Sequence, residues 1–134
     1  QTGDTRVISV EFGAGRMDAK RITAPSAHAN HALALTGSTG QLITRSSRDR
    51  QERAAALMSE TGAKPASILW DSGGDGLPIH RASPNDPDNE NTLATAIFEI
   101  VDQKVKLQIY DRPGAQPCYE SIRDFAWSSS PPDR

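Results

Sequence analysis

Hydrophobic and polar residues alternate in several short stretches, and this alternation predicts β-strands. Around Ile8, Val10 and Phe12 the apolar residues fall on one face of the chain. The clearest pattern spans 92–110, where Val105, Leu107 and Ile109 alternate with polar residues. We therefore predict strands at 6–12, 18–24, 92–101, 104–110 and 119–127, with Asp102 and Gln103 forming the turn of a hairpin. Strand 92–101 is apolar on both faces, which is typical of an interior strand.

Two stretches instead follow the helical period. Residues 48–60 carry one apolar stripe made of Ala54, Leu57 and Met58. Ser46 and Ser47 precede it as candidate N-caps, and Gly62 follows as a natural stop. Pro65 predicts a second short helix to Trp70, with Ile68 and Leu69 on its buried side. Segments 25–45 and 71–91 lack a clean period and indicate loops, and 128–134 indicates a frayed tail.

These elements define an α+β fold with antiparallel strands and two adjacent helices. The 134 residues provide room for one domain, so we treat 1–134 as a single unit. Only 36% of the residues are hydrophobic and 5% are aromatic, which is little material for a core. The composition indicates a loop-rich domain, or a part of a larger body that shares its core with another chain.

Charge and cysteine content exclude several classes of function. The 15 basic and 17 acidic residues give a net charge of −2, without the basic excess typical of nucleic-acid binders. No run of apolar residues is long enough to span a membrane, and from the polar residues at its start we expect no secretory signal. The single cysteine, Cys118, excludes an internal disulfide and a multi-cysteine zinc site. These features favour the reducing cytoplasm.

Taken one at a time, the reactive residues predict no cofactor and no metal site. Cys118 lies beside a proline with no histidine near it in sequence, so an inert thiol is the simpler interpretation. His28, His31 and His80 lack a nearby acidic residue to complete a metal site. The acidic run 86–90 lacks the residue order of a calcium loop, and the small polar run 37–40 lacks the lysine of a phosphate loop.

The order of several short motifs is more informative. His28-Ala29-Asn30-His31 is followed by Ser46-Ser47 and then by Arg50 and Arg53 at the start of a helix. Further matching segments are 68–71, 78–81, 92–93 and 112–113. This order resembles the isopenicillin N acyltransferase-like family of cysteine N-terminal-nucleophile hydrolases over about residues 5–125.

The resemblance implies a four-layer αββα fold in which self-cleavage exposes an N-terminal cysteine. The cysteine thiol attacks an amide or thioester carbonyl, its own α-amino group serves as the base, and water or an amine then takes the acyl group. In this sequence the resemblance implies Asn30 as the amide of the oxyanion hole. It further implies that His28 and His31 lie near the site as substrate-binding residues, and that Ser47 and Arg50 hold the substrate or orient the surroundings of the nucleophile. The structural alternatives are a turn amide for Asn30, a helix cap for Ser47 and a surface charge for Arg50.

This sequence departs from the family pattern at three places. Gln1 cannot be the nucleophile, Asp88-Asn89 stands where some members have a Ser-Arg pair, and Asp111 stands where glycine is usual. We therefore expect the C-terminal portion of an amidohydrolase or acyltransferase, completed by a cysteine-bearing upstream chain of the same precursor. Its substrate would be a small-molecule amide or acyl donor. The alternative is a non-catalytic binding or interaction module that uses loop 71–91 and the hairpin edge.

Overall fold

The computed structural model describes residues 7–13, 15–35 and 40–124, and these form two compact units, 7–92 and 93–124. In chain order the elements are β1 (Val7–Gly13), β2 (Arg16–Ile22), α1 (Arg45–Met58), α2 (Pro65–Leu69), β3 (Thr95–Val101), β4 (Lys104–Tyr110) and β5 (Tyr119–Asp124). The predicted α+β class is confirmed: antiparallel sheets accompany two short helices. None of the helices within the described ranges is long and apolar enough to cross a membrane.

The first unit begins with the hairpin β1–β2, whose register pairs Val7 with Ile22 and Gly13 with Arg16. The predicted strand at 18–24 therefore begins and ends two residues earlier. The apolar face of β1 points outward, and Phe12 is 76% exposed. The opposite face, which carries Glu11, is half-buried because the Glu11 carboxylate receives hydrogen bonds from the loop that follows β2.

Helix α1 begins three residues before its predicted start and ends two residues before its predicted end. Its N-cap is Thr44, whose hydroxyl accepts a hydrogen bond from the Ser47 N–H at 3.2 Å. The prediction of Ser46 and Ser47 as N-caps was therefore wrong. Both serines are buried within the first turn, where their hydroxyls bond to residues distant in sequence. The helix ends at Met58, four residues before Gly62, which has a positive φ of 80°.

Helix α2 begins at Pro65, as predicted, and ends at Leu69, one residue before the predicted end. Its predicted buried side is only partly confirmed. Ile68 is half-buried, but Leu69 is exposed because the five-residue helix has little contact with α1. The segment 25–44 forms no helix or strand where it is described, in agreement with its lack of period.

The loop after α2 is attached to α1 by charged side chains. Arg53 makes a bidentate ion pair with Asp71 at 2.6 and 2.8 Å, and the Asp49 carboxylate accepts the Leu77 N–H at 2.8 Å. Further along, the buried Arg81 guanidinium donates to the Ser46 hydroxyl at 3.2 Å. A loop rich in glycine and aspartate is thus ordered along one side of α1.

The second unit is the three-stranded sheet β3–β4–β5, and it confirms the predicted hairpin. Asp102 and Gln103 both have positive φ, as a type I′ hairpin turn requires. The expectation that the strand at 92–101 is interior was wrong within the described sheet. That strand begins at Thr95 and pairs on one side only, whereas β4 is the central strand. β5 ends at Asp124, and the predicted tail 128–134 lies outside the described residues.

Candidate functional site

The segment 27–31 is fastened to α1 by one glutamine. Gln51 Oε1 accepts the Ala29 N–H at 2.7 Å, and Gln51 Nε2 donates to the Ala27 carbonyl at 3.0 Å. A primary amide matches a backbone donor and a backbone acceptor simultaneously, as a neighbouring β-strand would. Gln51 therefore fixes the backbone just before Asn30.

Ser47 holds the next part of the same segment. Its side chain is one turn before Gln51, on the same face of α1, and Ser47 is only 3% exposed. The Ser47 hydroxyl oxygen accepts the Asn30 N–H at 3.0 Å and lies 2.8 Å from His31 Nδ1. Ser47 therefore sets the backbone position of Asn30 and the orientation of the His31 ring.

The side chain of Asn30 is oriented by Arg50. Arg50 Nη2 donates to Asn30 Oδ1 at 3.2 Å, and Arg50 Nε donates to the Ser46 carbonyl at 3.2 Å. Because a guanidinium has only donors, the amide oxygen of Asn30 must face Arg50 and the NH₂ group must face the other way. Asn30 is exposed. Its Nδ2–H groups are therefore held at the surface, where they are available to an acceptor.

His28 is held by acceptors at both ring nitrogens. Its Nε2 lies 2.9 Å from Glu11 Oε1, and its Nδ1 lies 2.7 Å from the Ala29 carbonyl oxygen. The hydrogen bond to Glu11, followed by that to Ala29, raises the pKa of His28 above its ordinary value of 6.5. Both contacts therefore favour the protonated form of His28, two residues before Asn30.

A mainly apolar cleft of about 730 Å³ lies beside this segment. Its lining residues come from segment 25–29, from the Arg50 side of α1, from α2 and from Ile79. Arg50 supplies a guanidinium to the cleft, His28 an imidazole and Glu60 a carboxylate. Clefts of about 300–1,000 Å³ with a few polar groups are typical of small-molecule sites.

All five predicted site residues occur together in this region. Asn30, His31, Ser47 and Arg50 form one hydrogen-bonded group, and His28 adjoins it through Ala29. Sequence reasoning missed Glu11 and Gln51. Their partners include backbone groups, which leave no residue-type signal. Gln51 does lie within the predicted helix, but Ser47, four residues earlier, was predicted as a cap before that helix.

The other residues and runs considered in the sequence lie outside this hydrogen-bonded group. Cys118 is exposed, and the one hydrogen bond of its thiol within the described chain goes to the Ile109 carbonyl at 3.3 Å. The acidic run 86–90 surrounds the Arg81 guanidinium, to which Asp86, Asp88 and Glu90 all bond. No group of three metal-ligating side chains occurs among residues 7–13, 15–35 and 40–124. The run 37–40 lies almost wholly outside the described residues.

Comparison with known proteins identifies the family. The sequence model of the acyl-coenzyme A:6-aminopenicillanic acid acyl-transferase family matches residues 2–113. The match covers most of the chain, which therefore belongs to this family, and the resemblance found in the sequence is confirmed. Searches of curated proteins and of solved structures returned no match. Membership of the family indicates acyltransferase or hydrolase chemistry.

Proposed function

We propose that this chain is the C-terminal portion of an amidohydrolase or acyltransferase whose nucleophile is an N-terminal cysteine on another chain of the same precursor. The observation that carries the proposal is the fixed side chain of Asn30, whose amide hydrogens face outward because Arg50 holds its oxygen. Self-cleavage of the precursor would create the cysteine-bearing chain, and together the two would complete a four-layer αββα fold. The cytoplasm suits such an enzyme because its thiol would stay reduced there.

The reaction begins when the cysteine thiolate attacks the carbonyl carbon of an amide or thioester. A carbon–sulfur bond forms, and the carbonyl electron pair moves onto oxygen as negative charge. Asn30 Nδ2–H donates a hydrogen bond to that oxyanion. The α-amino group of the cysteine takes the thiol proton before the attack and delivers it to the leaving group. As the carbonyl reforms, the carbon–nitrogen or carbon–sulfur bond of the substrate breaks, the amine or thiol departs with that proton, and a thioester remains on the enzyme. Water or an amine then attacks this thioester and takes the acyl group, which regenerates the thiol.

Preorganisation is the contribution that the described residues make to this reaction. A donor that is already in place costs no rearrangement when charge develops on the carbonyl oxygen. Ser47 fixes the Asn30 backbone at 3.0 Å, and Arg50 fixes the side chain at 3.2 Å. Arg50 and the protonated His28 also add positive potential near the developing oxyanion. In this proposal Ser47 and His31 serve mainly to keep the segment in place.

The apolar cleft is suited to the acyl group. Ala54, Met58, Ile68 and Leu69 present hydrocarbon surface to it, and its volume exceeds that of a medium-length acyl chain. His28 and Arg50 line the same cleft. A small-molecule donor with an apolar acyl group would thus place its carbonyl near these cations and its chain toward α2.

Exposed apolar surface supports the requirement for a second chain. Within the described residues only Leu35 and Ala54 are buried hydrophobic residues, at 3% and 8% exposure. The outward face of β1 and the Phe98–Ile100 part of β3 are both exposed. Single domains rarely leave apolar faces of this kind open to water. In the complete enzyme we expect the cysteine-bearing chain to cover them.

The test is Asn30→Ala in the complete enzyme, which means this chain together with the cysteine-bearing chain. Loss of one oxyanion donor lowers kcat by about 10²–10³, equivalent to roughly 3–4 kcal/mol. The melting temperature should change little because the Asn30 side chain is exposed. Asn91→Ala is the matched control, since its side chain bonds only to the Ser83 turn among the described contacts. An unchanged kcat for Asn30→Ala would remove Asn30 from the site.

A further inference from the structure

Glu11 has an unusual set of partners for a residue in a hairpin strand. Its side chain is only 9% exposed. The carboxylate accepts the backbone N–H groups of three consecutive residues: Leu33 at 2.8 Å, Ala34 at 2.8 Å and Leu35 at 3.1 Å. Consecutive N–H groups that converge on one anion form a concave backbone nest. The loop after Asn30 is therefore wrapped around a carboxylate from β1.

The same carboxylate also holds the loop before Asn30. Glu11 Oε1 accepts from His28 Nε2 at 2.9 Å, while His28 Nδ1 faces the Ala29 carbonyl oxygen at 2.7 Å. A carboxylate and a carbonyl only accept hydrogen bonds, so the two contacts together favour the imidazolium form, in which both ring nitrogens carry hydrogen. Glu11 and His28 thus form an ion pair between β1 and the loop.

We propose that Glu11 is a positioning residue that fixes the loop on both sides of Asn30 and so sets the direction of the Asn30 amide. One anchor is His28, and the other is the backbone at 33–35. Between these anchors Ser47 holds the Asn30 N–H. The catalytic consequence rests on the proposed function, in which Asn30 stabilises the oxyanion, whereas the positioning itself is measurable without catalysis.

Each oxygen of the Glu11 carboxylate accepts two of the four hydrogen bonds. Oε1 serves His28 and Leu33, and Oε2 serves Ala34 and Leu35. In Glu11→Gln one oxygen becomes an NH₂ group, which would face N–H donors instead of accepting from them. The variant keeps the size and shape of the side chain but loses the hydrogen bonds at one of the two positions, either those from His28 and Leu33 or those from Ala34 and Leu35. It therefore separates positioning from simple packing.

The contacts of Glu11 and His28 shift the pKa values of both groups, so the stability that these contacts contribute changes with pH in a definite direction. Hydrogen bonds from the Leu33 N–H and from His28 lower the pKa of Glu11 from 4.5 to about 2. The stability that the Glu11 carboxylate contributes to the folded chain is therefore present above pH 4.5 and is lost as the pH falls toward 2. The raised pKa of His28 has the opposite effect: its contribution is complete below pH 6.5 and is lost as the pH rises through the raised value. Arg50 and Glu60 are the other charged groups on the cleft that His28 lines.

The experiment compares wild type with Glu11→Gln in the complete enzyme, using ¹⁵N NMR together with kinetics. Glu99→Gln, an exposed glutamate on β3, is the matched control. We expect Glu11→Gln to lower the His28 pKa, to speed amide exchange at 33–35 by about tenfold and to shift the Asn30 side-chain amide signals. A misplaced catalytic group loses up to about 10² in rate, so kcat should fall about 10- to 100-fold while KM changes less than about threefold.

Two outcomes would overturn the proposal. The first is faster exchange at 33–35 with unchanged Asn30 signals and unchanged kcat, because Glu11 would then only stabilise the hairpin. The second applies to His28→Gln, which retains a neutral donor toward Glu11 and serves if Glu11→Gln does not fold. In wild type the protection of amides 33–35, expressed relative to their intrinsic base-catalysed exchange rate, should fall as the pH rises through the raised pKa of His28. In His28→Gln this fall should be absent, and a fall equal to that of wild type would contradict the proposal.

Failure of the proposed function would look different from failure of this inference. If Asn30→Ala keeps full kcat, Asn30 is not the oxyanion donor. A shift of the Asn30 amide signals in Glu11→Gln would still support the positioning role of Glu11. The kcat of Asn30→Ala therefore tests the proposed function, whereas the Asn30 amide signals of Glu11→Gln test the positioning role of Glu11.

Discussion

Replacement of Ser47 by alanine tests whether α1 holds the Asn30 segment in place. The change removes one oxygen that contacts the Asn30 N–H at 3.0 Å and His31 Nδ1 at 2.8 Å. It leaves the helix cap intact, because the Thr44 hydroxyl accepts from the Ser47 backbone N–H and not from its side chain. The loss is therefore confined to the contact between the segment and the helix.

The magnitude follows from these two contacts. Each net hydrogen bond contributes about 0.5–1.5 kcal/mol, and water can reach the exposed Asn30 once Ser47 is gone. We therefore expect the free energy of unfolding to fall by about 1–2 kcal/mol. For a chain of this length, that corresponds to a decrease in Tm of roughly 3–10 °C.

The assay combines thermal unfolding with ¹⁵N spectra, and Ser46→Ala is the control. Ser46 is the adjacent serine and is equally buried, but its hydroxyl bonds to Arg81 at 3.2 Å instead of to the Asn30 segment. Both variants should lose stability, whereas only Ser47→Ala should shift the signals of Asn30 and His31. Equal shifts in the two variants, or none in Ser47→Ala, would refute the assignment of Ser47 as the residue that holds this segment.

Three further changes test other parts of the structure. Gly76→Ala should lower the free energy of unfolding by about 1–3 kcal/mol in urea titrations, because a new Cβ would lie 2.8 Å from the Asp49 carboxylate and disturb the loop it binds. Arg81→Met should lower Tm by about 10 °C or more in thermal melts, because it leaves the nearly buried Asp86 carboxylate without its cation. Cys118→Ser should retain most of the activity of the complete enzyme in kinetic assays, because the thiol is exposed and bonds only to a carbonyl within the described chain.

Local patterns predicted most of the secondary structure. The alternation of Val105, Leu107 and Ile109 depends only on the period of a strand, and β4 follows it. Pro65 marked the start of α2 for a similarly local reason. The position of the α1 cap was not predictable in this way. Ser46 and Ser47 are residue types that commonly cap helices, but their hydroxyls form hydrogen bonds with residues distant in sequence.

The grouping of the candidate site residues was predictable in part, and for a different reason. Asn30, Ser47 and Arg50 stood out through the order of the family motifs, and the structure brings these three together. Glu11 was not predictable, because it bonds to backbone N–H groups 22 to 24 residues away. The same contacts turn the polar face of β1 inward, which the hydrophobic pattern of the strand could not indicate.

The central claim is that this chain supplies the oxyanion donor while another chain supplies the nucleophile. Mass spectrometry of the complete enzyme, quenched in acid during turnover of an acyl donor, tests it most directly. We predict an added acyl mass on the N-terminal cysteine of the other chain, while this chain, including Cys118, keeps its unmodified mass. An acyl adduct on Cys118, or turnover by this chain alone, would contradict the account.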